Sequence, residues 1–396
     1  SPIPGIKWEY EMIQQILPML NVDMLNQIAQ QLVTDHNLII SFQAPEDENV
    51  VLPTEAEAIE MLAAVKNEEI EAPVEEEIRT TLVEDAPKAG KIRKTAYNEI
   101  LGTTEWTLSN GVRVIVKPTE FKQDEILFYA TSLGGYSQVK TEDLPSALLA
   151  TDVVELAGLA DMNVTDLQKA LTGKRVSLSP SIGGNSESLS GSSTVKDLET
   201  LLQLNYLYFT APRRDEESYQ TLMSILESQL ANRDKNPKVA FNDSIQMMTS
   251  NNSERTVIFT KELLEKVSLD KALEVYKARF ANPADFTFFF VGNVNPEDST
   301  FKAQVCQWLG GLKTNKKKEK VVDHQVRVPL GKQQNYFTQK MEIKTASNRI
   351  QYTSYNMPYT LANDLNMEMI GRILSTRYLE SIREREGGSY GVGCAG

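Results

Sequence analysis

The stretch Trp106-TLSNGVRVIVK-Pro118 decides how this chain is read. Two apolar runs flank Asn110-Gly111, a pair that accepts the positive φ of a type I′ turn, so the spacing predicts a β-hairpin. Downstream, Glu125–Ser132 reads as a further strand ending at Gly134-Gly135. Helical patterns follow at 144–158 and 163–172, then β-like stretches around 174–182 and 186–194. Long helices are predicted over about 195–209, 215–232, 238–249 and 269–280. A strand at Phe286–Gly292 and a helix near 298–310 complete the block. A second hairpin-like pair, Phe337–Lys344 and Arg349–Met357, then leads into a long helix from Leu361 to about Arg385 and restarts the pattern seen at Trp106. Strands and helices alternate in blocks, which defines an α+β or mixed α/β class.

Upstream, Asp23–Val33 carries a helical apolar stripe and Leu38–Phe42 is strand-like. The segment Val22–Asp47 resembles Leu269–Asp298: each has a helix, a short Asx-containing connector, an apolar strand and an exit ending Pro-Glu-Asp. One unit therefore recurs about every 250 residues, too long a period for a solenoid. Between the copies, residues 46–100 are Glu-rich with Pro53, Pro73 and Pro87. Glu55–Lys66 can form a helix, and the remainder reads as an extended, solvated connector.

At 396 residues the chain has room for two or three domains. Its formal charge of −13 is concentrated: fourteen acidic residues lie between Glu46 and Asp85, against Lys66 and Arg79. No basic stripe with interleaved aromatics occurs, which argues against nucleic-acid binding. No apolar run approaches the length of a membrane span. Cys306 and Cys394 form no C-x-x-C and no disulfide framework, and read as small apolar residues. The first residue is Ser1 rather than Met, so the lack of a targeting segment carries no information about a longer protein.

The hairpin stretch Trp106–Pro118 resembles the opening strand pair of the insulinase/pitrilysin-type zinc peptidases, the inverzincins. Ser192–Leu230 resembles their mid-domain helices, and Phe241–Ile258 with Tyr276–Val294 fit the same template. The ordered series carries the resemblance, over roughly residues 100 to 396. It implies repeated α+β units, with four units forming two halves around a closed chamber that degrades peptides. On that template residues 1–45 are the end of one unit, 46–100 the acidic connector between halves, 101–318 a complete unit, and 319–396 the start of another.

The family's chemistry needs H-x-x-E-H on a helix, with two imidazoles on Zn²⁺ and a Glu as general base. Only His36 and His324 are present, and neither lies in such a motif. At the matching helix, Ala147–Gly158, the His positions fall near Thr151 and Glu155 and the Glu near Val154. Glu227, where a downstream ligand falls, would have no imidazole partners. The expectation is no zinc site and no catalytic residue in this chain, with zinc held elsewhere in a parent protein. The resemblance further implies that an Arg and a Tyr of the last unit reach the distant zinc site and hold the scissile peptide. Arg383 and Tyr390 in Ile382–Tyr390 have the matching separation, and Arg385 is the lesser alternative. An Arg fork or a Tyr hydroxyl can stabilise developing oxyanion charge. Without the family, the same residues read as a solvated helix face and a strand Tyr in a core.

Other motifs carry less. Pro180–Ser193 is Gly/Ser-rich but lacks the Lys-Ser/Thr of a P-loop, and its alternation suits paired strands. Lys316–Lys320 reads as a solvated basic loop. Gly391–Gly396 spells G-x-G-x-x-G but follows a helix instead of a strand, so it is not a dinucleotide fingerprint. Tyr390, Val392 and Cys394 alternate there as on a strand face, and Gly396 is expected to be a cut edge within its unit. The implied function is a non-catalytic C-terminal region of a zinc metalloendopeptidase acting on peptides or unfolded protein with the N-terminal catalytic half as partner. The alternative is a non-catalytic partner subunit or peptide-binding scaffold of the same family. The compartment is not fixed by the residues; relatives suggest a bacterial periplasm or envelope.

Overall fold

The computed structural model describes residues 4–32, 34, 36–44, 50–66, 68–69, 79, 81–233, 236–315, 317–339 and 346–396. The chain divides into two compact units, Ser1–Glu76 and Glu77–Gly396.

The first unit holds helices α1 (Ile6–Ile16), α2 (Val22–Leu32) and α3 (Glu55–Lys66). The start of α3 is fixed by a capping box. The Thr54 N–H donates to Glu57 Oε2 at 2.8 Å, and the Glu57 N–H donates back to Thr54 Oγ1 at 3.4 Å. Residues 38–42 form no strand, and Ile39 is 90% exposed. An apolar run becomes a strand only when a neighbour completes its hydrogen-bond ladder, and none of the described residues does so here.

The second unit is built on one seven-stranded sheet: β1 (Ile92–Asn98), β2 (Thr103–Leu108), β3 (Arg113–Pro118), β4 (Ile126–Leu133), β5 (Val176–Ile182), β6 (Ser186–Ser193) and β7 (Thr287–Gly292). Their order is β1-β2-β3-β7-β4-β6-β5. Only β3 and β7 are parallel; the other pairings are antiparallel. The mixed sheet with its helices is the α+β architecture expected for an insulinase-like unit. Strand β1 lies inside the stretch read as an extended connector, and Leu82 is already buried in the core. Both faces of β1 are largely exposed, so it shows no alternation of the kind that betrays a strand.

The hairpin at Asn110-Gly111 forms, but not with a type I′ turn. Gly111 N–H donates to Leu108 O at 3.0 Å, and Leu108 N–H to Val112 O at 2.9 Å. Positive φ occurs at Gly111 (91°) and not at Asn110. This is the three-residue loop that ends in a left-handed glycine.

Helices follow as α4 (Leu144–Leu148), α5 (Ala150–Ala157), α6 (Val164–Ala170), α7 (Leu198–Thr210), α8 (Glu216–Arg233), α9 (Pro237–Thr249), α10 (Lys261–Leu264), α11 (Leu269–Arg279), α12 (Ser299–Trp308) and α13 (Leu361–Tyr378). A π-helical segment, Leu379–Arg385, continues α13. Phe128, Phe288 and Phe290 point to one sheet face, where Phe209 of α7 and Phe301 of α12 pack edge-on or tilted against them. The intervening residues point the other way: Leu127, Tyr129 and Leu133 are 49%, 44% and 58% exposed. The sheet is thus covered on one face and open on the other.

After α12 the chain is extended and sewn to the body. Val322 N–H donates to Ser137 Oγ at 3.1 Å, and His324 Nε2 lies 2.8 Å from Ser137 O. A carbonyl only accepts, so Nε2 carries the proton. The expected hairpin pair is not formed: residues 337–339 and 349–357 contain no strand, while 340–344 lie outside the described residues. Apolar alternation there lacks the additional strands that a two-stranded ribbon needs for stability.

Candidate functional site

Helix α5 carries the residues that the resemblance sets against the family motif. It ends at Gly158, whose φ of 84° and tight contact with Met162 O suit glycine. Thr151 and Glu155 are half-buried, and Val154 is fully buried at 0% exposure. Burial pushes the Glu155 carboxyl above the usual carboxylate range; a Ser179 hydroxyl bond opposes this and the Asp152 charge adds to it. Burial likewise raises Asp152. Tyr136 is pushed up to about 12, first by burial and then by the Asp152 charge. Burial thus disfavours charge on the half-buried Glu155, while Asp152 beside it is exposed.

Zinc requires several deprotonated N, O or S ligands with an open position for water. Thr151, Val154 and Glu155 do not fit it, because they offer one disfavoured carboxylate and an apolar side chain in the core. Glu227 is exposed on α8. Among the described residues no group of three or more His, Cys, Asp and Glu is placed to hold a metal ion. His36 is exposed, and its carbonyl accepts from Thr34 Oγ1 at 2.7 Å.

Arg383 sits in the π-helical segment, with Nε 3.5 Å from Glu384 Oε1 and about half its side chain exposed. The segment closes where Gly387 (φ 60°) donates to Arg383 O at 3.1 Å and Gly388 donates to Ile382 O at 3.0 Å. Both hydrogen bonds satisfy carbonyls at the helix end. Tyr390 is 96% exposed. Arg383 and Tyr390 both face solvent, and no hydrogen bond joins them among the described contacts. Beyond them the chain is not a strand. It folds back on α13, where Cys394 N–H donates to Ser375 Oγ at 2.8 Å and Ser375 Oγ donates to Cys394 O at 2.8 Å. The backbone of Ala395 and Gly396 lies over Gly371, where a Cβ would come within 2.7 Å of Gly396 N. The alternation of Tyr390, Val392 and Cys394 therefore has no sheet to enter, and the small residues serve a close backbone crossing.

Pro180–Ser193 forms the β5–β6 hairpin, as its alternation predicts, with Ser177 and Ser192 hydroxyls 3.2 Å apart across it. The open sheet face was not singled out from sequence. Its signal was the alternation Leu127, Tyr129, Thr131 and Leu133 opposite Ser186, Ser188, Ser190 and Ser192.

The mixed seven-stranded sheet with helices on one face defines an α+β unit. Residues 266–395 match the peptidase M16 inactive domain. A zinc protease PQQL-like protein of Arabidopsis thaliana is 26% identical over 314 residues, covering 79% of this chain but 30% of the relative. The crystal structure of the periplasmic protease PqqL from Escherichia coli superposes with a TM-score of 0.64 at 19% identity, over 99% of this chain and 43% of that one. The ferredoxin protease FusC, solved in complex with Arabidopsis ferredoxin, gives 0.52 at 20% identity, over 82% and 36%. The two structures establish the fold. Over residues 266–395 the chain is similar to the inactive domain of the insulinase/pitrilysin-type, or M16, peptidases. It spans about a third of the length of the curated relative.

Proposed function

We propose that this chain is a non-catalytic C-terminal portion of a zinc metalloendopeptidase that degrades peptides or unfolded protein in a closed chamber. Zinc and the general base would reside in an N-terminal half of the same protein, its partner across the chamber. The observation that carries this reading is α5, where the residue that the resemblance sets at the general-base position is Val154, fully buried. Such a helix has no base with which to activate a water, yet the unit has an open sheet face. Exposed Tyr129 and Leu127 beside serine rows offer stacking and hydrogen bonds to an extended peptide. Arg383 and Tyr390, both solvent-facing, would complete the distant site by holding the scissile carbonyl. The zinc-protease names of the relatives support the metal in the parent, and the ferredoxin complex of FusC supports a protein substrate. The periplasmic location of PqqL supports an envelope compartment.

The test is zinc analysis of the longer protein, with peptide cleavage measured with and without chelator. Chelator-sensitive cleavage, reduced at least about tenfold in Tyr390→Phe or Arg383→Ala with little change in KM, is expected. A protein without zinc or cleavage would instead be a partner subunit or scaffold. Wild-type rates in both variants would remove the role of the pair.

A further inference from the structure

A cavity of about 790 Å³ opens among the turn after β4, helices α4 and α9, the loop 250–257 and the segment 321–327. Its charged lining residues are Arg255, Asp323 and Arg327, with His324 beside them. Asp323 and Arg327 pair with each other at 2.7 Å and cancel. Arg255 is different. Its Nη1 donates to Val139 O at 3.0 Å and Thr141 Oγ1 at 3.1 Å, and its Nη2 donates to Tyr136 O at 2.7 Å. All three acceptors are uncharged, and none of the ion pairs among the described residues includes it. A guanidinium has five N–H donors. These contacts leave Nε–H and one Nη2–H without a partner among the described hydrogen bonds, and guanidinium N–H groups grip a carboxylate strongly. Burial alone shifts the Arg255 pKa, downward, with no carboxylate opposing it. The cavity thus carries one uncompensated positive charge on a chain of net charge −13. Amide and hydroxyl side chains of Gln246, Thr249 and Thr256 share the wall with Leu144, Leu148 and Val257, a lining suited to a short peptide segment.

We propose that this cavity is a carboxylate site, taking the C-terminal carboxylate or an acidic side chain of a peptide, with Arg255 as its counter-ion. The peptide part rests on the function proposed above; the anion preference rests on Arg255.

The test uses the 396-residue chain and two probes, N-acetyl-tetraalanine with a free carboxylate and the same peptide as its C-terminal amide, compared by calorimetry. The acid is expected to bind about tenfold or more tighter than the amide, with affinity falling as salt rises. Arg255→Gln should abolish the difference. Because Arg255 also ties three backbone segments, a second variant is needed. Thr249→Trp fills the cavity while losing only hydrogen bonds to Ile245 and Gln246 of its own helix. It should keep the wild-type melting temperature and lose acid binding. Equal binding of acid and amide, no saturable binding of either, or unaltered binding in Thr249→Trp would overturn the site. A longer protein without peptidase activity would remove the proposed function and leave this comparison standing.

Discussion

Arg279 and Glu319 form an ion pair that joins the end of α11 to the segment following α12. Nη1 lies 2.5 Å from Oε2 and Nη2 3.3 Å from Oε1, with the side chains only 7% and 17% exposed. The Glu319 N–H also donates to Asp285 Oδ2 at 2.8 Å. Removing one partner of a buried pair leaves a desolvated charge, so Glu319→Ala should cost about 3 kcal/mol. Lys317 lies 3.6 Å from the same carboxylate but is 78% exposed, so Lys317→Ala should cost no more than about 0.5 kcal/mol. Urea denaturation of the two variants checks this. Similar midpoints would show that the pair does not hold the segment.

Glu187 gives the unit a pH dependence. It is 1% exposed, and its two oxygens accept from Ser132 Oγ and from Gly135 N, the latter at 2.7 Å. Burial raises its pKa most strongly; the bonds from Ser132 and Gly135 and the Arg279 charge oppose this in part, while the Glu319 charge adds to it. The folded state therefore holds this proton more tightly than the unfolded chain. Its contribution to stability is fully present below the unfolded carboxylate value and is lost as pH rises through the raised folded value. Glu187→Gln mimics the protonated acid, accepting from Gly135 N and donating to Ser132 Oγ. The variant should be more stable than wild type at pH 8, with the gap closing towards pH 4. A gap that is constant with pH, read from thermal unfolding, would refute the assignment.

The elements legible in the sequence are those whose own residues fix them. Phe286 to Val291 is an almost unbroken apolar run of strand length, and β7 follows from that run. The helix spacing at 198–210 and 361–378 is equally local. Strand β1 was hidden because it is an edge strand exposed on both faces, so its pairing with β2 comes from tertiary context. The reverse error, strands expected at 38–42 and 349–357, has the same cause: alternation states a preference, and a neighbouring strand decides. The Asn110-Gly111 turn shows it at finer scale, since two loop types fit the dipeptide and the Leu108–Val112 register selects one. In the candidate site, the sequence itself states that α5 carries no histidine. The burial of Val154 and the uncompensated charge of Arg255 were not legible there, because both depend on segments more than a hundred residues away in sequence.

Gly135 tests the junction between β4 and the β5–β6 turn. It adopts φ 55°, and a Cβ there would stand 2.3 Å from Gly183 O and 2.5 Å from Ser186 N. Neither backbone atom can yield cheaply, so Gly135→Ala should cost more than about 3 kcal/mol. Gly184 lies in the same turn with nothing within 4 Å of its Cβ position and no positive φ, so Gly184→Ala should be nearly neutral. Thermal midpoints of the two variants provide the comparison, and equal shifts would mean that the turn relaxes freely.

Writing the family's motif onto α5 is a stricter test of whether this helix could be catalytic. The combined change Thr151→His, Val154→Glu and Glu155→His writes H-x-x-E-H onto it. Val154 is 0% exposed within the main hydrophobic core, so Glu there would bury a carboxylate without a partner. Val154→Glu alone should cost about 3 kcal/mol or more, and the triple variant should regain little of it. Two imidazoles without a third protein ligand also fall short of a catalytic zinc site. The triple variant should therefore bind zinc weakly and show no chelator-sensitive peptide cleavage. Stoichiometric zinc with wild-type stability would mean that the core around Val154 accommodates a carboxylate and a metal ion.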